Sequence, residues 1–353
     1  MSDVDLLAAT AALVEIASPS LDETEFADHV EERLCACDWL TVDRVGDNVV
    51  ARTDLGRAQR VLLVGHLDTV PANGNSVPRI DGDTLWGLGS ADMKSGLAVF
   101  LQLAETVSEP AVDVTYVFYA AEEIAAEHSG LLELYRERPD LLDGDAAVLG
   151  EPTDGWLEAG CQGTARVRLT FRGARAHTAR PWMGRNAIHR LGAALARIDG
   201  FEARSPVIDG CEYREAMQAV FVDGGVAGNV VPDEATLTVN LRIAPDRTVD
   251  QALAGLRTLL GDALEDDDEF EVVDRASPAP PSLTHPLIAR LADDGAPVRA
   301  KLGWTDVARF AEHGMPAVNF GPGDATVAHT ADEHVERESI DRVHRALRAL
   351  LES

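Results

Sequence analysis

His66 and Asp68 follow a predicted buried strand, and their spacing suits a metal ligand and the carboxylate that orients it. The run VLLVGHLDTVP (61–71) opens with apolar, partly β-branched residues that end at Gly65, as is typical of a buried strand. Residues i and i+2 of a strand face the same way, and open α/β sheets bind ligands beyond the carboxyl ends of their strands. A metal-bound histidine usually donates its other ring N–H to a carboxylate. On its own, the pair also fits a histidine in an ordinary strand-end turn.

More candidate ligands follow other apolar segments. They are Asp92 in GLGSADMKSG, Glu122 and Glu123 after VTYVFYA, Glu151 after AAVLG, and His329 at the end of GPGDATVAH. Two histidines and several carboxylates make an oxygen-rich set that suits zinc, manganese or cobalt. A single acid in a loop is usually solvated or caps a helix, but this set recurs just after apolar runs. The combined pattern predicts a metal site.

The chain is long and strongly acidic. Its 353 residues can bury a full core and indicate two domains. With 31 basic and 60 acidic residues the formal charge is −29, which argues against binding of nucleic acid or of an anionic membrane. All basic residues except Lys94 and Lys301 are arginine. A GC-rich genome would favour arginine codons, and a salt-rich habitat would favour an acidic surface.

Cysteine use and the first residues predict a cytoplasmic enzyme. The four cysteines, at 35, 37, 161 and 211, have neither zinc-finger spacing nor the spacing of a disulfide framework, so we expect reduced thiols. The start MSDVDLLAATAALVEI is acidic and lacks the basic beginning of a signal peptide. No stretch approaches the ~20 apolar residues of a membrane span.

Strands alternate with helices in the first part of the chain. Such alternation implies a largely parallel, covered sheet. Ser20 or Asp22 is a candidate N-cap of the second helix. The predicted helices are 4–16, 22–37, 93–107 and one beginning at 131–136, and the predicted strands are 48–53, 60–66, 114–120 and 146–150.

The pattern changes after residue 161, where segments follow in the order β-α-β-β-α-β of a ferredoxin-like domain. The predicted strands are 164–173, 218–225, 234–245 and 269–274, and the helices are 186–198 and 249–264. The Pro-rich stretch 275–286 indicates a linker back to the first domain. We therefore predict a discontinuous catalytic domain of residues 1–161 and 278–353, interrupted by an inserted domain of residues 162–277.

These motifs, in their order along the chain, resemble those of the di-zinc amidohydrolases, a family that includes desuccinylases, deacetylases, aminoacylases and glutamate-releasing carboxypeptidases. The matching segments are GHLDTVP, GLGSADMKSG, AAEEIAAEHSG, GEPT, ARAHTARP and GPGDATVAH, which span residues 65–329. The resemblance implies an α/β fold. It consists of a zinc-peptidase-like catalytic domain with a mixed sheet flanked by helices, and an inserted ferredoxin-like α+β domain that serves as lid and dimerisation domain.

Three further segments, GCQGT (160–164), WTDVARF (304–310) and NFGPGD (319–324), are most similar to the actinobacterial succinyl-diaminopimelate desuccinylases. This resemblance implies hydrolysis of N-succinyl-LL-2,6-diaminopimelate to succinate and LL-2,6-diaminopimelate, a step toward lysine and peptidoglycan. An acetylornithine deacetylase, or another N-acyl-amino-acid amidohydrolase or carboxypeptidase, is the alternative within the family. A binding protein that kept the fold without turnover is the alternative outside it, and the intact ligands and Glu122 speak against that.

The resemblance also assigns the metal ligands. His66 and Glu151 would hold one zinc ion. Glu123 and His329 would hold the second, and Asp92 would bridge the two; cobalt or manganese could substitute for zinc. Five protein ligands leave positions open for water and substrate, as a catalytic site requires. A cis peptide bond after Asp92 is implied as well.

Glu122 is the candidate general base. Adjacent side chains cannot easily reach the same metal, so with Glu123 as a ligand Glu122 would be free to take a proton from the attacking water. Glu122 could instead be a second ligand or a surface acid. Asp68 would support catalysis by orienting His66. In family members the counterpart of His177 reaches across a dimer interface and stabilises the oxyanion, although the sequence alone also fits a hydrated loop histidine.

Substrate contacts are implied for three residues. Asn229 and Arg242 match family positions that contact the substrate carboxylate, which the planar guanidinium group binds well; Arg242 also fits the exposed side of a strand. Thr305 matches the substrate-side loop. The expected partners are a small N-acyl amino acid and a second copy of the chain, which would pair through the inserted domain.

One departure from the family bears on specificity. Better-known desuccinylases carry Arg-Arg-Gly where this chain has CQG (161–163), and an arginine of that segment is implicated in substrate recognition. Arg166, Arg168 or Arg180 could take its place.

Overall fold

A computed structural model describes residues 4–353, which divide into two compact units. The first unit contains the chain up to Ala159 together with Ser282–Arg299 and His313–Ser353, and the second contains Gly160–Pro281 and Ala300–Glu312. No helix within residues 4–353 combines the length and the apolar character needed to cross a membrane.

The helices and strands have the following bounds. In chain order the helices are α1 Leu6–Val14, α2 Thr24–Cys35, α3 Ser95–Thr106, α4 Gly130–Glu137, α5 Ala187–Asp199, α6 Val249–Leu260, α7 Pro286–Asp293, α8 Val307–Glu312 and α9 Arg337–Glu352. The strands are β1 Thr41–Val45, β2 Asn48–Arg52, β3 Arg60–His66, β4 Arg79–Asp81, β5 Thr84–Trp86, β6 Asp113–Tyr119, β7 Ala146–Leu149, β8 Leu157–Ala159, β9 Gly163–Arg172, β10 Ala176–His177, β11 Val207–Ile208, β12 Cys211–Glu212, β13 Ala216–Gly224, β14 Val230–Val231, β15 Glu234–Ile243, β16 Glu269–Ala276, β17 Val298–Ala300, β18 Ala317–Asn319 and β19 His334–Glu336.

A mixed sheet forms the centre of the first unit, with the strand order β1-β2-β6-β3-β7-β18-β8-β17. Within it β6, β3, β7 and β18 run parallel to one another. All of β6 and β7 is buried, as is β3 after Arg60, which is expected of parallel strands covered on both faces. A small antiparallel sheet has the order β19-β5-β4.

Helices bury their apolar faces in the core of this unit. α3 is buried along most of its length and contacts α1, α2 and α9. The last helix, α9, contributes Ile340, Val343, Leu347 and Leu351 to the core, at the three- and four-residue spacing of an amphipathic helix. The C-terminal segment therefore completes the core that the N-terminal half begins.

The second unit is an antiparallel sheet with the order β13-β15-β9-β16, against which α5 and α6 pack. Alternate residues of β15 and of most of β9 are buried, so one face of the sheet carries the core. The elements follow one another as β9-α5-β13-β15-α6-β16, which is the ferredoxin-like order. The predicted fold class is thus confirmed for both units.

The element ends differ from the predicted ones at a few places. The helix expected over 93–107 begins at Ser95, after an irregular turn at Ser90–Lys94 in which Asp92 and Met93 have non-helical backbone angles. The second helix begins at Thr24 with Glu23 at the N-cap position, so neither residue proposed as its cap is the cap.

The segment 300–312 also differs from its predicted assignment. The prediction placed it in the first domain, and the structure groups it with the second unit. The N–H of Gln162 donates to the carbonyl of Lys301 (3.3 Å), and the Cys161 thiol contacts the carbonyl of Thr305 (3.8 Å). These contacts tie the segment to the residues that precede β9.

Candidate metal centre

The predicted ligands leave the central sheet at one edge. His66 is the last residue of β3 and pairs with Tyr119, the last residue of β6. β7, which neighbours β3 on the other side, ends at Leu149. Because these strands are parallel, the pair 122–123 after β6 and Glu151 after β7 emerge beside His66. This is the edge at which open α/β sheets bind their ligands.

Two groups of side chains could each hold a metal ion. His66, Asp92 and Glu151 form one, and Asp92, Glu123 and His329 form the other; in each group the donor atoms lie within 4.8 Å of one another. Asp92 belongs to both. Its Oδ1 lies 3.1 Å from Nε2 of His66, and its Oδ2 lies 3.5 Å from Nε2 of His329. Each group therefore combines one imidazole with two carboxylates, a donor set that suits zinc.

The charge around both imidazoles suits a divalent cation. Hydrogen bonds with Asp92 and Glu123 raise the pKa of His329 to about 10. Burial alone lowers the pKa of His66, but hydrogen bonds with Asp68 and Asp92 raise it well above its usual range. The carboxylates thus create a negative potential that stabilises a proton on each ring, and a divalent ion would be stabilised there by the same charge.

Asp68 is buried beside His66 and holds the turn that follows β6. Its Oδ1 accepts the N–H of Glu122 (2.9 Å), and its Oδ2 accepts the N–H of Glu123 (3.1 Å) and the hydroxyl of Ser20 (2.7 Å). Nδ1 of His66 lies 3.0 Å from the Asp68 carbonyl oxygen and 3.5 Å from Oδ1. Burial raises the pKa of Asp68, but hydrogen bonds with the imidazole and these donors lower it to about 2. The carboxylate is therefore ionised at neutral pH.

Glu122 and Glu123 lie side by side at the edge of the site. Oε1 of Glu123 is 2.8 Å from Nε2 of His329, within the second ligand group. Glu122 joins a third cluster, with His66 and Glu123, whose donor atoms also lie within 4.8 Å of one another. Glu122 thus has a carboxylate next to both ligand groups that share Asp92, while belonging to neither.

The loop that carries Asp92 is held by Glu333. The peptide bond after Asp92 is cis, as the resemblance implies. Oε1 of the buried Glu333 accepts the N–H groups of Ala91 (3.0 Å) and Asp92 (3.1 Å). Sequence reasoning missed this residue, because it acts on backbone groups far away along the chain. Its position shortly after His329 was the available signal.

Four predicted residues lie in the second unit, namely His177, Asn229, Arg242 and Thr305. β10 and β14 pair so that His177 lies opposite Val230, next to Asn229. The N–H of the residue after His177 donates to the Asn229 carbonyl (3.0 Å). The His177 ring is exposed, and its Nδ1 accepts the N–H of Ala179 (3.0 Å). Arg242 is half-buried on β15 and Thr305 is buried.

The three arginines proposed for acyl recognition differ in their surroundings. Arg166 and Arg168 on β9 form ion pairs with acidic residues of β16. Arg180 lies in the turn after His177, where its N–H donates to the His177 carbonyl (2.8 Å). The side chains of Arg166 and Arg168 are thus engaged in pairs on the sheet of the second unit.

A mixed sheet whose parallel strands present two carboxylate–imidazole groups with a shared aspartate has the architecture of a dinuclear metallohydrolase. The sequence matches the model of peptidase family M20/M25/M40 over residues 62–353. The chain belongs to this family.

Relatives of known name are similar over nearly the full length. A putative succinyl-diaminopimelate desuccinylase of Mycobacterium tuberculosis is 53% identical over 94% of this chain and 93% of its own. The succinyl-diaminopimelate desuccinylase of Corynebacterium glutamicum is 42% identical over 98% of this chain and 96% of its own length. The chain is therefore an amidohydrolase by family and by relationship.

Solved structures share the fold. A tripeptidase from Staphylococcus aureus superposes with a TM-score of 0.80 at 20% identity, covering 98% of this chain and 97% of that one. The YXEP protein of Bacillus subtilis, a dinuclear metal binding peptidase, superposes with a TM-score of 0.70 at 17% identity, covering 98% and 96%. At these identities the likeness concerns the fold alone.

Proposed function

We propose that the chain hydrolyses the amide bond of N-succinyl-LL-2,6-diaminopimelate and releases succinate and LL-2,6-diaminopimelate. The observation that carries the chemistry is the pair of ligand groups sharing Asp92, with Glu122 beside them. The choice of substrate rests on the two desuccinylase relatives, which are similar over nearly the whole chain.

The site would hold two zinc ions. His66 and Glu151 would bind one ion. Glu123 and His329 would bind the other, and Asp92 would contribute one oxygen to each. Cobalt or manganese could replace zinc, because the same mixture of imidazole and carboxylate suits them. When bound, the ions would supply positive charge that polarises the scissile carbonyl and makes water more acidic.

Glu122 would act as the general base. It takes a proton from the attacking water and delivers it to the nitrogen of the leaving amine, so that it ends the cycle ionised. Asp68 supports this role by holding the N–H of Glu122 at 2.9 Å. The buried, ionised carboxylate of Asp68 therefore fixes the backbone from which the Glu122 side chain extends.

Residues of the second unit would bind and polarise the substrate. The partner subunit's His177 would stabilise the oxyanion of the tetrahedral intermediate. Asn229 and Arg242 would contact the amino-acid carboxylate, with Thr305 in the neighbouring loop. Arg180 would bind the carboxylate of the succinyl group, since a guanidinium binds carboxylates in bidentate fashion.

The homodimer would form through β13, an edge strand of the second unit. Three of its apolar side chains are exposed, Phe221 at 70%, Val222 at 57% and Val220 at 44%. An exposed apolar edge favours pairing with a second chain, and two-fold contacts are the commonest form of such pairing. A cytoplasmic location, without nucleic acid or membrane as partner, belongs to the same proposal.

Parallel assays on two substrates test this function. Purified protein with added zinc is incubated with N-succinyl-LL-2,6-diaminopimelate and with N-acetylornithine, and release of the primary amine is followed. We expect a higher kcat/KM for the succinyl substrate. A higher value for N-acetylornithine would assign the chain to the deacetylases. Binding without release of amine from either would identify a binding protein, and the Glu122→Gln variant serves as the blank.

A further inference from the structure

Consecutive backbone N–H groups in the turn after β6, residues 120–123, all donate to side chains. In order along the turn, the acceptors are Oδ1 of Asn48 (3.0 Å), Oε1 of Glu23 (3.0 Å), and the two carboxylate oxygens of Asp68 (2.9 and 3.1 Å). The three acceptor residues are 0%, 2% and 1% exposed. A buried N–H that loses such an acceptor finds no water to replace it.

Glu23 is the unexpected member of this set. It occupies the N-cap position of α2 but makes no capping hydrogen bond with its side chain. The carboxylate instead reaches Ala121, 98 residues further along the chain. Ala121 has φ +56, a left-handed conformation that residues with a Cβ rarely adopt. The hydrogen bond from Ala121 to Glu23 therefore stabilises the backbone where it is least favourable.

We propose that Glu23 is a positioning residue for the hydrolysis, and that it acts through the backbone of Ala121. By holding this N–H, Glu23 fixes the direction in which Glu122 and Glu123 leave β6. This inference rests on the proposed roles of those two residues as base and ligand. Displacement of a reacting group by about 1 Å can cost roughly 10²-fold in rate, so a small relaxation of the turn would be measurable.

The test compares Glu23→Ala with Glu23→Gln. Loss of a partner that orients a metal site typically costs about 10–100-fold, so we expect kcat of E23A to fall by about that factor. KM should stay within about threefold, since Glu23 acts at the turn and not on the bound substrate. E23Q retains an oxygen that can accept from Ala121 and should recover most of the loss. Zinc titration of the apoprotein should show weakening of one of its two affinities in E23A.

Asp113 provides a matched control on the same strand. It is 4% exposed and accepts the N–H groups of Leu55 and Arg57 (2.8 Å each) at the start of β6, roughly 20 Å from the turn at the other end. Asp113→Ala should lower the melting temperature while leaving kcat near the wild-type value. An equal loss of kcat in D113A would reduce the Glu23 effect to general destabilisation and overturn the proposal.

Other results would also overturn it. These are a kcat of E23A within about threefold of wild type, a loss confined to KM, or an E23Q enzyme as impaired as E23A. If E23A does not fold, kcat of the double variant E23A/A121G is compared with that of A121G, because glycine adopts the left-handed conformation without strain and the two variants still differ in the acceptor at position 23. Absence of hydrolysis of the succinyl substrate by the wild-type protein would refute the proposed function itself, whereas an active wild type beside a fully active E23A would refute only the positioning role.

Discussion

Exchange of Glu122 or Glu123 for glutamine separates the general base from the metal ligand. The two residues are adjacent, and glutamine has nearly the shape of glutamate. In either variant both backbone N–H groups can still donate to Asp68, at 2.9 and 3.1 Å. The turn should therefore keep its position, and only the charge and basicity of one side chain change.

The expected losses differ in kind. Glu122→Gln removes a proton transfer, which is worth about 10²–10⁴-fold in rate, or about 3–5 kcal/mol of barrier at 1.36 kcal/mol per tenfold. Its zinc content should equal that of the wild type. Glu123→Gln removes a charged oxygen that lies 2.8 Å from Nε2 of His329. It should release one of the two ions on dialysis against a chelator, and its activity should return in part at high zinc.

Metal analysis and steady-state kinetics on the same preparations decide the outcome. For E122Q we expect two zinc ions per chain, a KM near the wild-type value and a kcat lowered by at least about 10²-fold. If E122Q lost one ion and E123Q kept two, the two roles would be exchanged. If E122Q kept more than about a tenth of the wild-type kcat, no general base would be located at this position.

Three further changes probe the bridge, the dimer and the acyl pocket. Asp92→Ala should lose both zinc ions rather than one, and a variant that retains one full equivalent would contradict a bridging role. Inactive His177→Ala and Glu122→Gln proteins, when mixed, should form heterodimers with about half of the wild-type activity, since one of the two sites in each heterodimer is whole. If native mass spectrometry shows subunit exchange but no activity returns, His177 acts in the site of its own chain or outside catalysis. Arg180→Met should raise KM for the succinyl substrate by about 10–100-fold, as expected for loss of a charged hydrogen bond, and more than KM for the acetyl substrate. Arg168→Met, which breaks an exposed ion pair, is the control, and an equal effect there would remove Arg180 from the acyl pocket.

The central part of the fold could be predicted because its signal is local. β3, β6 and β7 are short apolar runs that are buried throughout or nearly so, and such runs stand out in a sequence. Polar residues just after them mark the edge of the sheet at which ligands bind. This is why the strand ends next to His66, Glu122 and Glu151 could be located to within a residue or two.

The C-terminal elements were harder to recognise. β18 has only three residues, too few for a periodic signal. α9 is rich in charged residues, and its buried positions, such as Ile340, Val343 and Leu347, are separated by arginine, histidine and aspartate. A helix of this kind gains its stability from packing of one face on the core and not from its composition. The prediction located the return of the chain to the first domain but did not assign this helix.

Residues that hold the site through the backbone left no recognisable pattern. Ser20 was a plausible helix cap in the sequence, and yet its hydroxyl donates to Asp68, 48 residues away. Glu333 binds the N–H of Asp92 from 241 residues away. A hydrogen bond to a backbone group places no demand on the identity of the residue that donates it, so a single sequence contains no matching partner to look for.

The acidic residues of the site divide into two sets that face different groups of the protein. Glu23, Asp68 and Glu333 accept backbone N–H groups from the turns that carry the base and the ligands. Each of these carboxylates accepts the positive end of an oriented amide dipole. Burial nevertheless raises the pKa of Glu23 and of Glu333. Within each ligand group the acids lie within 4.8 Å of an imidazole and of one another instead. A metal ion would therefore bind at the second set, which combines imidazole nitrogens with carboxylate oxygens, while the first set holds backbone groups. Loss of a ligand acid should accordingly change metal binding, whereas loss of a holding acid should change the geometry in which the metals and the base meet the substrate.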